Sequence, residues 1–170
     1  SGWAPAKLDA KFLLDKGVKT MPQRGIHAVT VPGAVEGWSQ LLAKFGRLKL
    51  ADDLAPAIHF AEAGFPVTEY VGELWGRAAR NARLDEGLSH TYLPGGRAPQ
   101  VGEIFRNPEL AWSYKQIAEH GREAYYSGEI AKKILAFSQR VGGTMSAEDL
   151  AEFRAEWVEP ISTTYRGWTV

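Results

Sequence analysis

The stretch His27–Gly46, HAVTVPGAVEGWSQLLAKFG, decides how the rest of the chain is read. Val29-Thr30-Val31 is largely β-branched and reads as extended backbone. Pro32 fixes its own φ and pushes Val31 out of the α region, and Gly33 lets the chain turn. Val35, Trp38, Leu41, Leu42 and Phe45 then recur at spacings of three and four, the apolar stripe of a buried helix. Gly46 stands where a left-handed C-cap residue is expected. An extended segment thus enters a helix through a Pro-Gly corner.

On the N-terminal side, Pro5 to Lys16 reads as a helix with Leu8, Phe12 and Leu13 on one face and Gly17 as its stop. Val18 to Ile26 reads as a loop. On the C-terminal side, Asp52 is a candidate N-cap for a helix bearing Leu54, Ile58, Ala61 and Phe65, ended by Gly64 and Pro66. Thr68 caps a helix carrying Val71, Leu74, Trp75, Ala78 and Ala82. Leu84 to Arg106, with Pro94-Gly95-Gly96, Pro99 and Gly102, has no sustained period and reads as a long loop.

Asn107-Pro108-Glu109 is a helix start, with Leu110, Tyr114 and Ile117 following and Gly121 as its end. A turn through Ala124-Tyr125-Tyr126 leads to a helix bearing Ile130, Ile134, Phe137 and Val141. Gly142-Gly143 stops it. Ser146-Ala147-Glu148-Asp149 opens a last helix as a capping box before Leu150 and Phe153. Beyond Pro160, Ile161–Tyr165 and Trp168–Val170 are β-type and joined by a tight turn at Arg166-Gly167. Two strands alone are marginal in water, so this end is expected to belong to a larger sheet. The expectation is a mainly α fold with two parts: a helical lobe over residues 1–156, of roughly seven helices, and the start of a strand or hairpin over 157–170.

Composition bounds the function. The 170 residues are 45% hydrophobic and 24% charged, those of a globular chain with one core. Twenty basic and 20 acidic residues cancel, which disfavours nucleic acid as a partner. There is no cysteine, hence no disulfide and no thiolate metal site. No apolar run approaches the ~20 residues of a membrane span.

Candidate chemistry is sparse. His27, His59, His90 and His120 have no ligand-like spacing, and Asp52-Asp53 would point apart on a helix, so no metal is expected. His59 reads as a core-edge histidine. Gly95-Gly96-Arg97 and Gly142-Gly143-Thr144 lack phosphate-loop spacing, and no other cofactor is implied. Trp38 and Trp75 fall on helical stripes and read as core rather than as a stacking surface. Ser1 is either a nucleophile using its own α-amine as base or merely the residue at which a cut begins. Gly2-Trp3-Ala4-Pro5 leads into a helix rather than a strand, which favours the second.

Together these segments resemble the middle part of the large subunit of the γ-glutamyltranspeptidase (γ-glutamyltransferase) family. The resemblance runs through Val31-Pro32-Gly33-Ala34-Val35-Glu36-Gly37-Trp38, Lys44–Leu48, Pro56-Ala57-Ile58 and Ala63–Val67. It continues through Gly121, Ala124–Ala131, Gly142-Gly143, Asp149-Leu150, Pro160 and Tyr165-Arg166-Gly167. It implies the helical lobe of an N-terminal-nucleophile hydrolase of αββα architecture, made as a precursor that cleaves itself into two subunits.

In that family a Thr at the head of the small subunit attacks a γ-glutamyl amide such as glutathione, and an acyl-enzyme is resolved by water or an amino acid. The resemblance therefore implies the small subunit and a γ-glutamyl substrate as partners. It places the nucleophile beyond Val170, so these residues alone are expected to be inactive and to self-associate. The best-known members carry a carboxylate-binding Arg just before Ala4-Pro5. Here the segment reads Ser1-Gly2-Trp3, with Ser1 at the Arg position, and a hydroxyl does not replace a guanidinium fork. By position Ser1 and Trp3 are the candidate substrate-binding residues. An acylase acting on a different amide, such as a β-lactam side chain, is the alternative; a non-catalytic helical scaffold is a third reading.

Overall fold

The computed structural model describes residues 2–82 and 85–170, and the fold is mainly helical. In chain order the helices are α1 (Ala10–Asp15), α2 (Ala34–Phe45), α3 (Leu50–Ala63), α4 (Glu69–Ala82), α5 (Glu86–Tyr92), α6 (Pro108–His120), α7 (Arg122–Tyr126), α8 (Glu129–Arg140) and α9 (Ala147–Ala151). Two antiparallel pairs complete the described residues: β1 (Phe65–Pro66) with β2 (Ile104–Phe105), and β3 (Thr164–Tyr165) with β4 (Trp168–Thr169). Short 3₁₀ turns occupy Ile26–Ala28 and Pro94–Gly96.

Local capping chemistry acts where the sequence indicates it. Asn107 Oδ1 accepts from the Leu110 N–H at 2.9 Å, with Pro108 following as the first helical residue. Ser146 and Asp149 form a reciprocal capping box at the head of α9. Gly17, Gly64, Gly121 and Gly142 follow helices at positive φ. Arg166 and Gly167 both take positive φ in the β3–β4 turn, the backbone twist that suits a two-residue hairpin.

Several expectations are corrected. The first helix starts at Ala10 rather than Pro5, because Asp9 caps the Phe12 N–H at 2.7 Å while Pro5 is buried before it. The third starts at Leu50 with Lys49 as N-cap; Asp52 sits one turn inside and accepts from the Lys49 N–H. Gly46 is extended (φ −70°, ψ 150°) rather than left-handed. Trp38, Leu41 and Phe45 are exposed, so only the first turn of α2 is core. His59 is exposed as well.

The expected loop over Leu84–Arg106 is largely ordered structure (Leu84 itself lies outside the described residues). Asp85 caps α5 through the Leu88 N–H at 2.8 Å. Phe65 leaves α3 to pair with Phe105. Trp75 and Tyr92 close over Phe105 of that pair, with Trp75–Phe105 centroids 4.6 Å apart and the Trp75 indole N–H donating to Tyr92 O at 2.9 Å. Arg97 grips Glu103 with two nitrogens at 2.7 and 2.9 Å and holds its carboxyl down to about 2.

The main core is separate from this aromatic satellite. Val31, Val35, Leu54, Ile117, Tyr126, Ile130, Ala131, Leu150 and Phe153 form one cluster, fed by the Pro-Gly corner, α2, α3, α6, α7, α8, α9 and the residue two beyond α9. α3 and α6 pack along each other across it. No helix among the described residues is long and apolar enough to cross a membrane.

Candidate substrate cleft

The Pro-Gly corner becomes a site because two other segments converge on it. Asp149, buried at the head of α9, accepts from the Ala6 N–H at 2.8 Å and so ties down the N-terminal segment. Trp3 O in turn accepts from the Val31 N–H at 2.9 Å. Gly2 lies so close to the corner strand that a Cβ there would stand 1.8 Å from Val31 O. Phe153 arrives from the other side, and a Cβ on Gly33 would stand 3.0 Å from its ring. Gly2 is required by the close approach of two backbones, and Gly33 makes room for the Phe153 ring.

A cleft of about 780 Å³ opens between Gly2-Trp3, Gly33-Ala34 and Phe153–Glu156. Its aromatic wall is Trp3, edge-on to Phe153 at 5.1 Å. Phe153 is itself stacked on Tyr126 at 5.9 Å. Arg154 lines the rim and donates to Ala151 O and Phe153 O, both at 2.7 Å. The α2 N-terminus, which lacks a side-chain cap at Gly33, opens into the same space.

Behind the wall lies a buried polar cluster. Glu36 is 3% exposed in the first turn of α2 and pairs with Arg122 of α7. Burial raises the Glu36 carboxyl pKa, yet hydrogen bonds from Gln40 (3.0 Å) and Arg122 and a contact with the Ala155 backbone outweigh it, leaving the pKa below its ordinary value. Arg122 also donates to Phe153 O at 2.7 Å, and Gln40 to Ala155 O at 2.8 Å. The Tyr126 hydroxyl donates to Pro32 O at 2.8 Å and accepts from the Glu36 N–H at 3.1 Å. Burial pushes the Tyr126 phenol pKa up, which keeps it a donor.

Of the two candidate binding residues, Trp3 stands at this cleft, half exposed; Ser1 lies outside the described residues. The sequence reading missed the cluster behind them. Its one trace was Glu36 and Gln40, four apart on a helix whose first turn is apolar. Phe153, read as part of the last helix, falls beyond α9 and backs Trp3 at the cleft. No group of three or more His, Asp or Glu among the described residues could hold a metal ion. The arrangement can bind and orient; no activated nucleophile is placed at the cleft by the described residues.

The family model described as gamma-glutamyltranspeptidase matches residues 1–170. The chain is 40% identical over 159 residues to the glutathione hydrolase-like YwrD proenzyme of Bacillus subtilis, covering 91% of this chain and 30% of that protein. The solved cephalosporin acylase of Bacillus halodurans superposes with a TM-score of 0.94 at 42% identity, over 99% of this chain and 33% of that one. The Helicobacter pylori gamma-glutamyltranspeptidase does so at 0.91 and 29% identity, over 99% of this chain and 50% of that one. The chain therefore spans about a third of the YwrD proenzyme.

Proposed function

The chain belongs to the γ-glutamyltranspeptidase family, and on that premise we propose that it is the helical lobe of an amide-cleaving N-terminal-nucleophile enzyme. The reaction passes through an acyl-enzyme on a small-subunit Thr outside these residues, and this chain supplies the wall beside which the acyl group lies. Residues 1–156 are the lobe; 157–170 enter a sheet completed by other polypeptide of the same precursor. The small subunit is the partner, and its nucleophile carries out the bond making and breaking.

Trp3 carries the reading of the acyl side. The ring at the cleft is aromatic and braced by Phe153, the 2–5 segment offers no guanidinium for an α-carboxylate, and the Arg154 guanidinium at the rim is engaged by Ala151 O and Phe153 O. An acyl group with an apolar or planar body fits that wall, as in an acylase. The higher identity to the solved acylase than to the solved transpeptidase supports this reading. A γ-glutamyl group such as that of glutathione is the second reading, favoured by the glutathione hydrolase-like relative.

The test uses the complete polypeptide that carries these residues. After self-cleavage it is assayed with γ-glutamyl-, butyryl- and phenylacetyl-p-nitroanilide. Release from either of the last two, in preference to the first, is the expected result. Preference for the γ-glutamyl amide selects the second reading, and no release from any of them by a cleaved enzyme overturns both.

A further inference from the structure

The polar cluster behind the cleft holds backbone. From Phe153 to Thr163 the chain has no helix or strand, so its course is not set by a ladder of its own. Arg122 holds Phe153 O, and Gln40 holds Ala155 O. On the opposite wall Tyr126 holds Pro32 O. All three side chains meet at Glu36: Arg122 and Gln40 bond its carboxylate, and Tyr126 accepts its N–H. One buried residue thus ties the Pro-Gly corner to the facing segment, and the gap between those two is the cleft.

We propose that Glu36 and Arg122 are a positioning pair, setting the width of the cleft and thereby the stance of Trp3 toward the acyl group. The proposal rests on the reading that this cleft receives the acyl side of an amide. Neither residue touches substrate. Each acts through Phe153, which meets Trp3 edge-on and packs against Gly33. Orientation of this kind is sensitive to sub-ångström displacement, whereas fold stability often tolerates replacing a buried ion pair by uncharged groups of similar volume.

That contrast supplies the experiment. In the complete polypeptide, the double substitution Glu36→Gln/Arg122→Met removes the pair without leaving an unpartnered buried charge. On the best substrate of the p-nitroanilide panel, KM is expected to rise about tenfold with kcat within about threefold of the parent. A purely structural role gives the opposite split, a smaller active fraction that lowers kcat and leaves KM unchanged. Arg122→Lys, which keeps the charge but not the fork, should fall between parent and double variant.

A second readout does not need turnover. With 5-fluorotryptophan incorporated, the ¹⁹F resonance of Trp3, assigned by its loss in Trp3→Phe, is expected to shift in the double variant. If the parent cleaves none of the amides, the functional reading fails while this resonance still decides the positioning claim. An unmoved Trp3 resonance in a folded double variant overturns the proposal, as does a moved resonance with unchanged KM in an active enzyme. Should the double variant not fold, Gln40→Ala removes only the bonds to Glu36 and Ala155 O, and the same two readouts apply with a KM rise of about threefold.

Discussion

The two ends of α2 have opposite fates. In its first turn Val35 and Glu36 are buried, and a carboxylate sits inside because Arg122 and Gln40 satisfy it, while Tyr126 accepts from the Glu36 N–H. In its last two turns Leu41 and Phe45 are exposed, though they belong to the same apolar stripe. Phe45 meets Trp157 edge-to-face at 5.7 Å, and Lys44 lies over both rings, 4.0 Å from the indole and 5.3 Å from Phe45. Beyond them Ile161, Trp168 and Val170 are almost bare, at 99%, 77% and 82% exposed. Periodicity tells which residues share a face; it does not tell whether the same chain covers that face. Exposed large apolar side chains in this number are what an interaction site presents, which accords with the proposal that other polypeptide of the precursor lies over them.

The comparison can be broken most forcefully in the core. Leu150 is fully buried, and Leu150→Ala is expected to cost about 3 kcal/mol in urea unfolding. Leu41→Ala, half exposed here, should cost less than about 0.5 kcal/mol in the isolated 170 residues. In the complete polypeptide, with the stripe covered, the same change should cost about 2 kcal/mol. Equal costs in both settings would mean that nothing lies over the outer half of α2. Next in size is Tyr126→Phe, which leaves the ring stacked on Phe153 but strips Pro32 O of its donor and the Glu36 N–H of its acceptor. A loss of about 1–2 kcal/mol is expected in the same unfolding measurement.

How much was legible follows from the range of each interaction. Asn107, Ser146 and the Arg166-Gly167 turn act on backbone within about three residues of themselves, and the sequence displays such signals directly. The family was legible too, because its short segments recur in order along the whole chain. The pairing of Phe65 with Phe105 was not, since each strand is two residues long and its partner lies far along the chain. The cluster at the cleft was hidden for the same reason: Glu36 and Arg122 are 86 positions apart. Trp3 was singled out by its place before Ala4-Pro5, and its role toward substrate belongs to the proposal; that it lines a cleft and is braced by Phe153 becomes evident only when the chain is folded.

Acid sharpens the contrast between the buried carboxylate and the exposed ones. The folded pKa of Glu36 lies below its ordinary value of 4.5. Its contribution to stability is therefore complete above that value and is lost as pH falls through the lowered one. Melting temperatures measured from about pH 6 to about pH 3 should fall less steeply for Glu36→Gln than for the parent in the acid part of that range. Parallel curves would show that the Arg122 pairing does not favour the ionised form.

The smallest effect on stability is expected at the far end of the chain, where the contrast is greatest. Trp168 sits in a hairpin held by two backbone bonds between Thr163 and Val170, and its side chain is mostly in solvent. Trp168→Lys should change the unfolding free energy of the isolated 170 residues by less than about 0.5 kcal/mol. Its effect on association should be large, because an open two-stranded edge with bare aromatic and aliphatic side chains is a template for another chain. Light scattering of the isolated parent is expected to show self-association that rises with concentration and recedes in Trp168→Lys. A monomeric parent at high concentration would show that this surface has no tendency to seek cover, and the proposed sheet partner would lose its physical motive.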